Sequence, residues 1–389
     1  MLNSFPGKPR IAPAELAEAL DAASDQVKRN LGQFTYRCQN HSSIHGFYPA
    51  CRNDQWTCGF WPGEIWLAYE HTGDPAFRNS AEILVDSFLY RIENKIAVDH
   101  HDMGFLYSPS CVSAYMLTGN SHAHTAALLA ADQLASRYQP KGKFIQAWGA
   151  MDTKENYRYI IDCLLNVPLL YWAAGENKNT VLKDIADSHI KTCLANSFRS
   201  DYSTYHTFFM SPETGEPDHG ATCQGYKDDS SWARGQAWAV YGIALAYKYV
   251  PDSKYIKLFE QAAAYFLQRL PSDLVPYWDL IFTDGSGEPR DSSSASIAAC
   301  GFLEMAKYTD KKQAAEYRGI ASQLIKAVYD TCAVKDPFAS NGLVLHGTYS
   351  KKSPYNTCTP EGVDECVSWG DYFYMEALTR LAVNWRPYW

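Results

Sequence analysis

Three absences narrow this 389-residue chain before any motif is read. No apolar run reaches the length of a membrane span before a charge interrupts it. Its 35 Lys and Arg are scattered and outnumbered by 43 Asp and Glu, a net charge of −8, so no basic patch recruits nucleic acid or an anionic membrane. No GxGxxG, P-loop, HExxH or GxSxG motif is present, which removes the common nucleotide, zinc-protease and serine-hydrolase signatures. The eleven cysteines are odd in number and form no C-x-x-C pair, and Cys163 and Cys300 sit in apolar runs. They read as reduced buried thiols, not a disulfide framework or zinc site, so neither a metal nor an organic cofactor is implied. Residues 1 to 20 lack a basic start followed by an apolar stretch, so no signal peptide is read and the cytoplasm is expected, or the periplasm if a leader has been trimmed. Low-complexity and highly charged blocks are missing too, and 46% hydrophobic content supplies a large core. Length alone suggests two or three domains, but closed barrels exceed that scale, and one domain over residues 1–389 is expected.

What is present centres on Tyr157-Arg-Tyr-Ile-Ile-Asp-Cys-Leu-Leu-Asn-Val-Pro-Leu-Leu-Tyr-Trp172, a nearly all-apolar stretch with one carboxylate, Asp162. A lone Asp there either finds a strong partner or rises in pKa and stays protonated near neutrality, as a general acid must. The structural alternative is a capping Asp, with Pro168 in a first helical turn and residues 162 to 166 as its approach.

The same format recurs: a polar or aromatic entry, then an apolar helix. Trp56-Thr-Cys-Gly-Phe-Trp61 opens one such unit, and Asp99-His-His-Asp102 opens the next. Asp162, Asp229-Ser-Ser-Trp232-Ala-Arg234, Asp291 and Val367-Ser-Trp369-Gly-Asp371 open four more. Charged amphipathic helices alternate with them, at 13–31 and about 76–90, 122–138, 180–195, 254–269 and 312–330. Six outer and six inner helices in alternation predict an all-α, (α/α)6 barrel. Short strands are expected near Leu343-Val-Leu-His-Gly.

Inner helices of such a barrel all start at one end, so their entry residues converge: Trp61, His101, Asp102, Asp162, Trp232, Arg234, Asp291, Trp369 and Asp371. Paired carboxyls, an Arg, His residues and indole faces that stack on sugar C–H surfaces compose a carbohydrate site. Structural readings compete for several of them. His100 and His101 also fit an exposed loop, and Asp102 before Met103-Gly104 also fits a turn. Asp229 and Asp371 read as structural N-caps. Trp66, Tyr69, Tyr171 and Trp172 read as core, while Trp61, Trp148 and Trp238 divide evenly between core and stacking.

With those residues in view, the sequence resembles the unsaturated glucuronyl hydrolases of glycoside hydrolase family 88. The resemblance rests on Trp56-Thr-Cys-Gly-Phe-Trp-Pro-Gly, His100-His-Asp-Met-Gly-Phe, Ile160-Ile-Asp-Cys-Leu-Leu-Asn-Val-Pro-Leu-Leu-Tyr-Trp, Ser231-Trp-Ala-Arg-Gly-Gln-Ala-Trp and Ser368-Trp-Gly-Asp-Tyr-Phe. It implies the (α/α)6 barrel and a substrate from polysaccharide lyases, an oligosaccharide with a 4,5-unsaturated uronic acid at its non-reducing end. In the implied reaction an acid protonates C4, water adds at C5, and the hemiketal rearranges to release the next sugar. By resemblance Asp162 is the acid/base and Asp102 the second essential carboxylate, while His101, His206, Gln224, Arg234, Trp148 and Trp238 line the uronate subsite, Arg234 as an anchor. By the same resemblance Tyr349, Ser350 and Ser353 correspond to a loop over the aglycone subsite. Members acting on sulfated disaccharides resemble Ser-x-x-Ser-x-Lys there; this chain has Tyr355 for the Lys and an apparent insertion at 356–361, with Lys351 or Lys352 as replacement cations or a solvated lysine loop. The implied preference is for sulfated chondroitin or hyaluronan disaccharides, with the protein a monomer or weak homo-oligomer. Unsaturated rhamnogalacturonyl hydrolases on pectin fragments are the near alternative. An inverting glycosidase on the same barrel and a non-catalytic sugar-binding protein are more distant ones.

Overall fold

A computed structural model of the chain describes residues 2–389. Its helices follow the alternation read from the sequence. Outer α1 (Pro13–Phe34) precedes inner α2 (Phe60–Thr72), and outer α3 (Pro75–Glu93) precedes a second inner segment broken into α4 (Met103–Tyr107), a π-turn at Ser108–Val112, and α5 (Ser113–Thr118). Outer α6 (Ser121–Ala135) follows, then inner α7 (Cys163–Asn166) with α8 (Pro168–Asn177), and outer α9 (Thr180–Asn196). Inner α10 (Ala233–Tyr249), outer α11 (Ser253–Gln268), inner α12 (Ser292–Met305), outer α13 (Lys311–Thr331) and inner α14 (Ser368–Ala382) complete the set. The inner segments touch in sequence, and α14 packs back on α2, so the ring is closed. The protein is an (α/α)6 barrel.

Burial separates the two rings. The outer α11 hides one stripe, Tyr255, Phe259, Ala262, Ala263 and Phe266, at helical spacing. Inner α12 is buried at every position, because helices flank it on both sides. Capping separates them as well. Asp74, Asn120, Asn179, Asp252 and Asp310 each accept a backbone N–H at the start of an outer helix. None of the inner helices begins with a side-chain cap, so the polar side chains at their starts are left for other uses.

Short antiparallel pairings roof that end: β1 (Cys38–Gln39) with β2 (Ala50–Cys51), β3 (Tyr138–Gln139) with β4 (Phe144–Ile145), and β8 (Gly347–Ser350) with β9 (Glu361–Glu365). A three-stranded sheet pairs β5 (Arg158–Ile160), β6 (Thr207–Met210) and β7 (Pro217–Ala221). The strand expected around Leu343 starts later, at Gly347; Val344 makes only an isolated bridge to Ala333. Among the described residues no helix is long and apolar enough to cross a membrane, and all eleven cysteines are unbonded.

Deep in the ring, Arg380 on α14 ties three inner helices together. It donates to Glu376 at 2.8 Å, to Glu304 on α12 at 2.7 Å and to the Tyr241 hydroxyl on α10 at 2.5 Å. Burial alone would raise the Glu304 carboxyl; Arg380 and Lys307 outweigh it and hold it at about 2. Arg380→Met strands two buried carboxylates, and urea unfolding at neutral pH should show a loss of about 3–5 kcal/mol.

Candidate active site

Asp162 lies where β5 runs out and α7 begins, at the cap position of α7, but its side chain makes no capping bond. Pro168 does open α8, so the capping alternative describes the backbone correctly and the carboxyl wrongly. Asp102 repeats the pattern at the start of α4, again without a side-chain cap. The two segments touch because Gly104 has no Cβ: one built there would sit 2.3 Å from the Asn166 Cα. Asn166 bridges them, its Oδ1 accepting the Phe105 N–H at 2.8 Å and its Nδ2 donating to Asp162 O at 3.4 Å.

This contact sets two carboxyls beside one imidazole. His101 Nε2 lies 3.3 Å from Asp102 Oδ1 and 3.6 Å from Asp162 Oδ1, and His100 Nδ1 lies 3.0 Å from Asp102 Oδ2. All three of His101, Asp102 and Asp162 are buried. Burial, then the Asp102 charge, drives the Asp162 carboxyl far above the ordinary range, and Arg234 only partly opposes them. Burial would raise Asp102 as well, yet His101, His100 and Trp148 outweigh it and leave that carboxyl lowered. His101 is pushed down to about 4 by burial and is neutral at physiological pH. One acid keeps its proton and its neighbour does not.

A narrow cavity of about 20 Å³ opens onto this pair, walled by Trp56, Trp148, Gln224, Trp232, Arg234, Trp238 and Tyr349. A larger groove between α1 and α13 is apolar and open and gathers no acid pair. His206 stands behind the wall, its ring 5.0 Å from Trp232 and its Nε2 3.0 Å from Gln224 Oε1. Burial lowers it to about 4.

Several readings need correction. Trp61 is not at the mouth: it is fully buried, donates to Phe34 O at 3.0 Å and packs edge-on to the Phe34 ring. The helix it begins turns its indole toward α1, and Trp56, five residues earlier, takes the wall position. Trp369 is buried too and stacks on Trp56 at 5.2 Å. Asp291 ion-pairs with Arg234 at 2.8 Å. Asp371 is structural but not an N-cap: it accepts the Leu343 and Val344 N–H groups and the Tyr48 hydroxyl, and burial raises it to about 7. Asp229 pairs with Lys227 and caps nothing. Ser350 and Ser353 donate to Thr359 O at 2.6 Å and Tyr226 O at 2.5 Å, tying the loop to itself and to the segment at residue 226. Lys351 pairs with Glu288, and Lys352 donates to Asn356 O.

Donor atoms of His101, Asp102 and Asp162 fall within 4.8 Å of one another, as do those of Cys163, His189 and Cys193. In the second set His189 Nδ1 already accepts the Ile145 N–H at 2.9 Å.

Residues 27–375 match the sequence model of Glycosyl Hydrolase Family 88. The chain belongs to glycoside hydrolase family 88. Family 88 relatives include the unsaturated chondroitin disaccharide hydrolase of Streptococcus pneumoniae, 45% identical over 98% of this chain and 95% of its own length. The unsaturated glucuronyl hydrolase of Bacillus sp. is 38% identical over 96% of this chain and 98% of its own. The crystal structure of the Streptococcus agalactiae unsaturated glucuronyl hydrolase superposes with a TM-score of 0.94 at 44% identity, covering 99% of this chain and 96% of that one. A mutant of that enzyme has been solved in complex with dGlcA-GalNAc6S, with a TM-score of 0.87 at 41% identity, covering 99% of this chain and 96% of that one. This family 88 protein is therefore a glycoside hydrolase.

Two outcomes check the geometry. Trp61→Phe leaves the Phe34 carbonyl unpaired and should cost about 1–3 kcal/mol in urea unfolding without altering ligand affinity at the cavity. Asp162 has a native pKa above its unfolded value, so its stabilising contribution is complete below about pH 4 and is lost as pH rises through the raised native value. Asp162→Asn should accordingly gain on wild type in denaturation midpoints between about pH 4 and pH 8; parallel curves would contradict the raised pKa.

Proposed function

We propose that the protein removes the 4,5-unsaturated uronic acid from the non-reducing end of glycosaminoglycan disaccharides of the chondroitin class, as one catalytic domain. The observation that carries this reading is the unequal carboxyl pair facing a narrow, indole-lined cavity. Asp162 delivers its proton to C4 of the vinyl ether. Positive charge then develops at C5 and the ring oxygen, where ionised Asp102 opposes it, and water adds at C5. That water returns a proton to Asp162, and the hemiketal opens to expel the neighbouring sugar. Trp56, Trp148, Trp232 and Trp238 supply stacking faces, and Tyr349 borders the aglycone side.

The names of the streptococcal relatives support chondroitin disaccharides over the pectin-derived alternative. The dGlcA-GalNAc6S complex of one relative supports tolerance of a sulfate. Sulfate capture by Ser350 and Ser353 in this chain requires both hydroxyls to leave their backbone acceptors, and no Lys occupies position 355.

Loss of ultraviolet absorbance of the enol-acid chromophore reports the reaction. Unsaturated chondroitin disaccharides, sulfated and unsulfated, are run beside an unsaturated rhamnogalacturonan disaccharide. Absorbance loss on the chondroitin set is expected, and Asp162→Asn should lower its rate by about 10²–10⁴-fold while retaining sugar binding. Turnover of the pectin substrate alone moves the assignment, and the sulfated-to-unsulfated rate ratio measures what the serine loop contributes.

A further inference from the structure

Arg234 is largely committed within the protein. Its NH1 donates to Asp291 Oδ2 at 2.8 Å and to Thr348 O at 2.7 Å, and its NH2 donates to Tyr349 O at 2.6 Å. Its plane lies between the rings of Trp232 and Trp369, 4.4 and 4.6 Å from their centroids. Asp291, fully buried at the start of α12, does not cap that helix. Instead its Oδ1 accepts the Ser293 hydroxyl at 2.5 Å, and Ser293 Oγ accepts the Trp369 indole N–H at 3.0 Å. At the far end, Tyr349 O also receives Gln224 Nε2 at 3.0 Å, while the Tyr349 hydroxyl accepts from Trp56 Nε1 at 3.0 Å. The cavity wall thus hangs on one buried ion pair.

We propose that Asp291 is a positioning residue for the reaction: it holds Arg234 as a strut between α12 and the Thr348–Tyr349 backbone, and it balances the guanidinium charge that shares a cavity with Asp162. The proposal rests on the activity inferred above. Facing Asp162 are Asp102 and His101 from the segment before α4 and Arg234 from α10. Facing Arg234 are Asp291 from α12, Tyr349 from β8 and His206 from the approach to β6. Arg234 favours loss of the Asp162 proton and is outweighed by burial and Asp102. Paired with Asp291 it acts at a distance as a dipole, whose field decays faster than that of a single charge. Without Asp291 the bare cation acts on the acid, and the Tyr349 carbonyl loses the fixed end of its strut.

Asp291→Asn keeps the size of the side chain and one acceptor oxygen, removes the charge, and turns the second acceptor into an N–H donor. The kcat/KM profile against pH on an unsaturated chondroitin disaccharide reports the free enzyme's acid. Its alkaline limb should move about one pH unit to the acid side. A folded variant with a lowered melting temperature and an unmoved limb would make Asp291 merely structural and overturn the proposal. Should Asp291→Asn fail to fold, Arg234→Gln decides: removing the cation should move the limb to the alkaline side, and an unmoved or acid-shifted limb overturns the proposal. A wild type silent on this substrate defeats the activity itself and the proposal with it. An active wild type with an unmoved limb in the variant defeats the proposal alone.

Discussion

Desolvation of Asp162 beside a carboxylate that stays ionised is the constraint around which the rest is arranged. A buried acid next to another is costly unless one of them keeps its proton. The chain settles which one by unequal surroundings. Asp102 has two imidazoles and an indole within reach, whereas Asp162 has the apolar start of α7 and a guanidinium already engaged elsewhere. The asymmetry depends on close approach. Gly104 admits the Asn166 backbone, and Asn166 ties both segments with one amide.

That approach is possible because the inner helices begin uncapped at a common end. Five of the six outer helices spend an Asp or Asn on their own first turn. Inner helices leave Asp102, Asp162 and Arg234 available at the same positions, and the closed ring brings them together. At the other end, the Arg380 cluster fixes the spacing of α10, α12 and α14. Charge is buried at both ends of the barrel with different results. Arg380 is satisfied by two carboxylates and a hydroxyl and is structural, while the mouth retains polar atoms on His101, Asp102 and Asp162 without good partners. Unpartnered buried polar groups are where a protein leaves room for a ligand.

The wall of the cavity is held from behind. His206, Gln224, Arg234 and Asp291 form a chain of contacts that converges on the Tyr349 carbonyl. Residues that a family resemblance groups as sugar ligands here spend much of their capacity on one another. The loop beyond Tyr349 follows the same economy, with Ser350, Ser353 and Asn356 bonded to backbone groups of the loop and of residues 225–226.

The twelve-helix alternation was legible because burial on one side or both leaves a periodic or a continuous apolar pattern, and helix period is a local property. Asp162 was legible for a related reason: one carboxylate in an apolar run is a conflict that sequence alone exposes. Side-chain direction at the mouth was not local. Trp56 and Trp61 share one motif, and only the packing of α2 against α1 decides that Trp61 faces the Phe34 carbonyl while Trp56 faces the cavity. Asp291 and Arg234 are 57 residues apart and Arg234 and Tyr349 115, so no pattern in the chain announces their pairing. The sequence by itself determined the periods and the one isolated acid; tertiary structure decided which polar groups meet, because partners brought together by ring closure carry no local signal.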